Sequence, residues 1–266
     1  MLSYLRLWHK TASFSLRSQM QYKGAFWLQV LGQLVIRSVD FLTIYMLFSR
    51  FGRLRDWSLP QVALLFGLIQ IAFSLTEMCS FGIRRFGQIV RRGQFDRLLL
   101  RPRSTLFQLA TEKFELRRLG GLLQGTVILL WAAWRLDVLR LSHLPLMLLA
   151  VGTGFCIFMG LFILQACLAF WTTDTLEIVN IVTYGGVETG SYPLSIYQIW
   201  FRRLFTFVIP LAFASYLPGI HILGHPDASL YPAYLAWLSF PVGLAFISLC
   251  AFAWRLGMRH YRSTGS

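Results

Sequence analysis

LPLMLLAVGTGFCIFMGLFILQACLAFW, residues 144–171, runs for 28 residues without an Asp, Glu, Lys or Arg. A helix rises about 1.5 Å per residue, so roughly 20 mostly apolar residues cross a hydrocarbon core about 30 Å thick. This stretch is long enough to span a bilayer. Shorter or less clean runs flank it: Phe26 to Phe48, Val62 to Phe81, Leu119 to Leu139, Leu204 to Leu223 and Tyr234 to Trp254. The run from Leu119 is the weakest, with Arg135 and Asp137 near its outer end. Composition agrees, since 56% of the 266 residues are hydrophobic and only 14% charged. Soluble domains sit near 45–50% and 25%. The expected fold is an all-α integral membrane protein with six transmembrane helices.

Net charge is +14. A nucleic-acid binder of that charge would be rich in polar residues, and this chain is not. The excess reads instead as topology, because Lys and Arg accumulate in cytoplasmic loops. With the N-terminus inside, the inner segments hold four basic residues in the first tail, ten in Arg84–Arg118, two at Arg202–Arg203 and three at the C-terminus. That is nineteen of twenty-five; five lie outside (Arg50, Arg53, Arg55, Arg135, Arg140), and Arg37 lies within the first span. Both termini are therefore expected in the cytoplasm. No apolar signal core precedes residue 25, so no cleaved signal peptide is expected.

The chain divides accordingly. Residues 1–24 repeat Leu2, Leu5, Trp8, Ala12, Leu16 and Met20 on one face, with Arg6, Lys10, Ser13 and Arg17 on another. That pattern predicts an amphipathic helix lying along the membrane surface, as against a solvated helical tail. Spans one and two occupy 25–83, a basic cytoplasmic segment 84–118, spans three and four 119–171, spans five and six 204–254, and a basic tail 255–266. Residues 172–203 carry Asp174, Glu177, Asn180 and Glu188 and admit two topologies. In one they are a juxtamembrane segment before a fifth span at 204–223, which keeps Arg202 and Arg203 inside. In the other, 172–199 contain a polar fifth span and 192–223 dip into the outer leaflet as a re-entrant hairpin, broken at Pro193, Pro210 and Pro218.

Enzyme signatures are absent. The three lysines, Lys10, Lys23 and Lys113, lie outside any GxxxxGK[ST], and no HExxH occurs. His221 and His225 have chelating spacing, but Pro218, Gly219, Gly224 and Pro226 around them argue against an uninterrupted helix and a metal site. Gly152-Thr153-Gly154 sits mid-span, with no strand before it to make a dinucleotide loop. Gly121 and Gly125 form a GxxxG pair suited to close helix contact. Cys79, Cys156, Cys167 and Cys250 fall in apolar runs and read as packing residues.

The most informative segment is RRFGQIVRRGQFDRLLLRPRS, residues 84–104, too charged to span and too patterned for a floppy loop. Ile89, Val90, Phe95, Leu98, Leu99 and Leu100 offer docking surface between arginine clusters, Gly93 can turn the chain, and Arg101-Pro102 ends a helix. It reads either as a linker holding anionic headgroups or as a short helix meeting a cytoplasmic partner. The run Gly93-Gln94-Phe95-Asp96-Arg97-Leu98-Leu99-Leu100-Arg101-Pro102 resembles the G-x-[LF]-D-x-x-L-x-R-P pattern of type-2 ABC exporter permeases, particularly a bacterial subfamily of small six-span permeases. Gly190-Ser191-Tyr192-Pro193-Leu194-Ser195-Ile196-Tyr197, continuing through Phe207–Phe213 and Tyr216–Pro218, resembles that subfamily's second signature. The motifs cover about forty residues, while length, span number and order match over most of the chain.

The resemblance implies a bacterial inner-membrane permease that pairs with a second copy or paralogue, with separate ABC ATPase subunits attached beneath. No cofactor would bind this chain; ATP and Mg belong to the partner ATPase. Arg91, Arg92, Gly93, Phe95, Asp96, Leu99, Arg101 and Pro102 would make the ATPase contact of a coupling helix, and lipid would be the remaining partner. Within the first span Gln29, Gln33, Arg37 and Asp40 share a face, as do Gln70, Ser74 and Glu77 in the second. A mid-bilayer charge costs about 2.5–3.5 kcal/mol on insertion scales, so such residues face protein or water. Gln29, Gln33, Arg37, Asp40 and Glu77 therefore read either as a translocation lining or, for Arg37 and Asp40, as a self-neutralising pair. A direct Arg37–Glu77 pair would need a bend or tilt, because Glu77 lies nearer the inner surface. The rival readings are an ATP-independent channel or secondary transporter, which predicts internal repeats not seen here, and a lipid-metabolising enzyme, which needs the acidic residues clustered.

Overall fold

The computed structural model describes residues 2–171 and 176–261, and among them about 80% are helical with no strands. Helix α1 (Leu2–Gln19) passes through a 3₁₀ turn at Met20–Tyr22 into α2 (Lys23–Phe51). From Lys10 to Phe51 the two make one run of 42 residues. At about 1.5 Å per residue that is twice the thickness of a hydrocarbon core, so only part of the run can lie within one. Gly52, at φ +73°, closes α2 by returning its N–H to the Phe48 carbonyl, 2.8 Å away. Helix α3 (Leu59–Cys79) starts where the Gln61 side chain accepts the Ser58 backbone N–H at 2.8 Å, with Pro60 in its first turn.

Four short helices follow: α4 (Phe81–Arg84), α5 (Phe86–Arg91), α6 (Phe95–Leu99) and α7 (Thr105–Ala110). Then come α8 (Leu119–Arg135), α9 (Leu144–Leu168) and α10 (Leu176–Ser191). The last part holds α11 (Ile199–Arg203), α12 (Tyr216–Leu223), α13 (Tyr234–Trp237) and α14 (Ser239–His260). By length and composition four runs can cross a membrane: the one ending α2, α3, α9 and α14. The segments Ile199–Val208 and Leu211–Leu223 together make a fifth only as a bent pair. Asp174 and residues 262–266 lie outside the described residues.

Helices α3 and α9 form the buried centre, and glycines set how closely the others approach. Gly121 and Gly125 face Ser74 and Gln70 of α3, where a Cβ on Gly125 would stand 3.1 Å from the Ile71 nitrogen. Gly120 lies against the backbone of α2 at Val30 and Leu34. Gly243 of α14 sits on the Thr153 backbone of α9, and Gly160 of α9 meets Phe246 and Cys250. Where apolar side chains meet lipid as readily as each other, close backbone packing of this kind holds helices together. Replacing Gly120 with Leu should force α2 and α8 apart; we expect a loss of about 1–3 kcal/mol, read as a lowered unfolding midpoint of the detergent-purified chain.

The stretch 204–223, expected as a single span, is not a straight helix. A π-helical turn at Leu204–Val208 gives way at Ile209 and Pro210, and the helical pieces on either side meet at 79°. Ile209 is extended (φ −116°, ψ 96°), as the residue before a proline prefers to be, and Pro210 has no N–H with which to continue the ladder. Pro218 breaks nothing, since it sits in the first turn of α12. Meanwhile α10 packs on α3, with Gly190 against Ile69. Ser195 just beyond it accepts the Trp57 Nε1–H at 3.2 Å. Trp57 precedes α3, so Ser195 lies at the end of the bundle opposite the arginine-rich segment. Along α10, Tyr184 meets Phe73 and Gly190 meets Ile69, so the helix lies against the C-terminal half of α3.

Candidate coupling surface and buried ionic network

The segment 84–104 is folded rather than loose. Gly93, at φ +64°, turns the chain between α5 and α6, and the backbone N–H groups of Gly93 and Gln94 bond the Val90 and Ile89 carbonyls at 3.0 Å. That conformation favours glycine. Phe86 and Phe95 meet edge to face at 5.0 Å, and both rings contact Phe170 and Trp254. Trp254 Nε1 donates to Thr105 Oγ1 at 3.1 Å, and the Tyr261 hydroxyl donates to the Asp96 carboxylate at 3.0 Å. The segment is thus fastened to the C-terminal ends of α9 and α14.

This fastening divides the predicted contact residues. Phe95 is fully buried, and Asp96 holds Tyr261. Arg91, Arg92, Leu99, Arg101 and Pro102 are exposed, and Gly93 shapes the turn that presents them. The most exposed apolar side chain here is Leu100, at 86%, which the sequence places on the docking surface but not among the expected ATPase-contact residues. Its signal was the register: Phe95 and Leu98 follow at helical spacing toward the core, so Leu99 and Leu100 turn away.

Behind this surface lies a chain of ion pairs. Glu77, only 1% exposed, pairs with Arg37 of α2 and with Arg118 just before α8, each at 3.0 Å. The Arg37–Asp40 separation is longer, 3.7 Å. The pair joins two unbroken helices, α2 and α3, and the Arg37 guanidinium also lies over the Phe73 ring at 5.4 Å. Arg118 extends the chain to Glu115 at 3.6 Å, and Glu115 also holds Arg84 and Arg117, the latter at 2.7 Å. Burial opposes ionisation of Glu115, but Arg84, Arg118 and Arg117 together hold its carboxyl below the usual range. Glu112 is pushed up by burial, with Arg85 opposing. Gln33 accepts from Arg118 at 3.3 Å, and Gln124 donates to the Arg37 carbonyl at 3.2 Å. Gln29 takes no part; it lines a cavity where α1 meets α2.

One end of the chain therefore stands in the arginine-rich segment and the other among the spanning helices. Residues 34–265 match the family described as ABC-2 family transporter protein. The chain belongs to the ABC-2 transporter family. It is a multi-pass membrane permease, and the family implies an ABC ATPase as its partner. No curated protein and no solved structure matches it. The family match starts within α2, after Gln29 and Gln33, and covers the whole basic segment of this ABC-2 permease.

At the opposite end, His225 stacks on Trp57 at 4.1 Å and accepts the Asp227 N–H through Nδ1, while Tyr216 donates to Asp227 at 2.8 Å. His221 instead bonds its own helix at the Leu217 carbonyl, so the two histidines do not converge.

Proposed function

We propose that this ABC-2 permease is the membrane subunit of an ATP-driven exporter, working as a homo- or heterodimer above two ATPase subunits in a bacterial plasma membrane. The observation that carries the reading is the surface formed by Leu99, Leu100, Arg101 and Pro102, apolar and basic together, on a segment fastened to the ends of α9 and α14. An exposed apolar pair rimmed by cations suits a protein partner better than water. Closure of the ATPase pair on ATP would pull this segment, and Arg118–Glu77–Arg37 would carry the movement into α2, α3 and α8. Nucleotide drives such a switch only through its different affinity for the two states. ATP and Mg would bind the partner alone. Coexpression with the ATPase encoded nearest to it should yield a stable complex with ATP hydrolysis; a permease that transports without any ATPase would refute the reading.

The topology that supports this has both termini and residues 84–118 in the cytoplasm, α10 as the polar fifth span, and 192–223 as a re-entrant hairpin on the outside. Arg202 and Arg203 then lie outside, which leaves seventeen basic residues within and seven without, and the sign of the asymmetry is unchanged. Single cysteines at Arg53 and Gln198, both exposed, should react with an impermeant thiol reagent in intact cells, and one at Arg92 should not. Protection of the cysteine at Gln198 would favour the cytoplasmic placement of this stretch.

For the pathway, Arg37, Glu77 and Gln33 are engaged with one another or with Arg118, whereas Gln29 and Asp40 remain accessible on α2. The same helix leaves Leu31, Val35 and Val39 exposed. A second permease subunit facing α2 would enclose the polar residues as a lining.

A further inference from the structure

A cavity of about 430 Å³ opens where α1 meets α2, bounded by Tyr22, Gln29, Phe81, Lys113, Glu115 and Arg117. We propose that it binds the headgroup of an anionic phospholipid from the inner leaflet. Its position fits: only part of the run from α1 into α2 can lie within the hydrocarbon core, and Ser15 and Gln19 bond the backbone at Phe114 and Leu116, so the cavity straddles the interface. Its charge fits as well. Glu115 is the one carboxylate in the wall, and Arg84, Arg117 and Arg118 already neutralise it. Lys113 stands over the Phe81 ring with its ammonium 5.1 Å from the centroid, and the Arg85 guanidinium lies at the same distance from that ring. The balance is positive, and Gln29 adds amide donors. Basic pockets beside spanning helices on the cytoplasmic side suit such headgroups.

The remaining surface distinguishes a lipid from a free anion. Ala25, Gln29, Gly32 and Ile36 follow at helical spacing up α2 from the cavity. No atom stands within 4 Å of where a Gly32 side chain would begin, and Ile36 is 60% exposed. Beyond Gln29, which faces the headgroup, Gly32 and Ile36 leave an open apolar track into the bilayer for an acyl chain. The inference needs only that the chain sits in a membrane, so its failure would leave the ATPase reading intact.

The test uses the full chain in a mild detergent, titrated with phosphatidylglycerol, phosphatidylcholine or sodium phosphate and followed by native mass spectrometry. Phosphatidylglycerol should bind best. Lys113→Gln should weaken it about five-fold, the effect of one cation near an anionic surface, and Ala25→Trp should block the cavity without changing its charge. Equal retention of phosphatidylcholine, unchanged by Lys113→Gln, would overturn the proposal, as would displacement of phosphatidylglycerol by sodium phosphate alone. Wild-type binding by Ala25→Trp would place the lipid elsewhere and overturn it too.

Discussion

Replacing Glu77 by Leu should abolish accumulation of folded permease, or cost it about 3–5 kcal/mol if it survives. The carboxylate is the shared partner of Arg37 and Arg118 at 3.0 Å each, so its loss strands two guanidiniums in a low-dielectric setting. Arg118 would keep Glu115 at 3.6 Å; Arg37 would keep only Asp40 at 3.7 Å. Removing both ends of the main pair is gentler. The double variant Arg37→Leu, Glu77→Leu leaves Arg118 with Glu115, and well-packed apolar groups often replace a buried pair at little cost. Unfolding midpoints of the two single variants and the double separate these outcomes: the double should lie well above Glu77→Leu. If the folded double variant hydrolyses ATP with its ATPase but does not transport in vesicles, the network transmits movement as well as holding the bundle together. Full transport by the double variant would reduce it to a structural link.

Much of this was readable from hydropathy and charge. The runs at α3, α9 and α14 are apolar enough to declare themselves, and the Gly121/Gly125 pair marked the contact of α8 with α3. The polar stretch of α10 was harder. Thr189 and Ser191 look hydrophilic in sequence, yet each hydroxyl bonds its own helix, at the Gly185 and Val187 carbonyls, and so costs little among apolar neighbours. The stretch 204–223 is apolar enough to span, but Pro210 bends it. Hydropathy counts residues and does not register a missing N–H. The ionic network was half legible. Gln33, Arg37 and Asp40 declared a polar face, but Arg118 counted only as a cytoplasmic charge, and nothing local ties it to Glu77. Side-chain reach across two helices is a tertiary fact.

The second large effect should come from the exposed edge of the basic segment. Leu99→Glu with Leu100→Glu should leave the permease inserted and folded yet eliminate ATPase stimulation in the complex. Leu99 is 46% exposed and Leu100 86%, so neither substitution empties the core beneath. Apolar anchors at the centre of an interface commonly cost 2 kcal/mol or more when removed, roughly thirty-fold in affinity, and the added charges would have to be desolvated as well. Phe95→Ala makes the contrast. Its ring packs with Phe86, Phe170, Trp254 and Tyr261, so its loss should cost about 3–5 kcal/mol of stability and loosen the whole segment. Asp96→Asn should be milder, since an amide oxygen can still accept from Tyr261. Copurification of the ATPase, hydrolysis rate and unfolding midpoint for the three variants read the two roles apart. A surface that docks the ATPase gives lost copurification at an unchanged midpoint for the leucine pair, and a lowered midpoint for Phe95→Ala. Retained copurification and full stimulation by the leucine pair would move the contact away from this edge, and with it the assignment of residues 99–102 as the place where hydrolysis reaches the membrane.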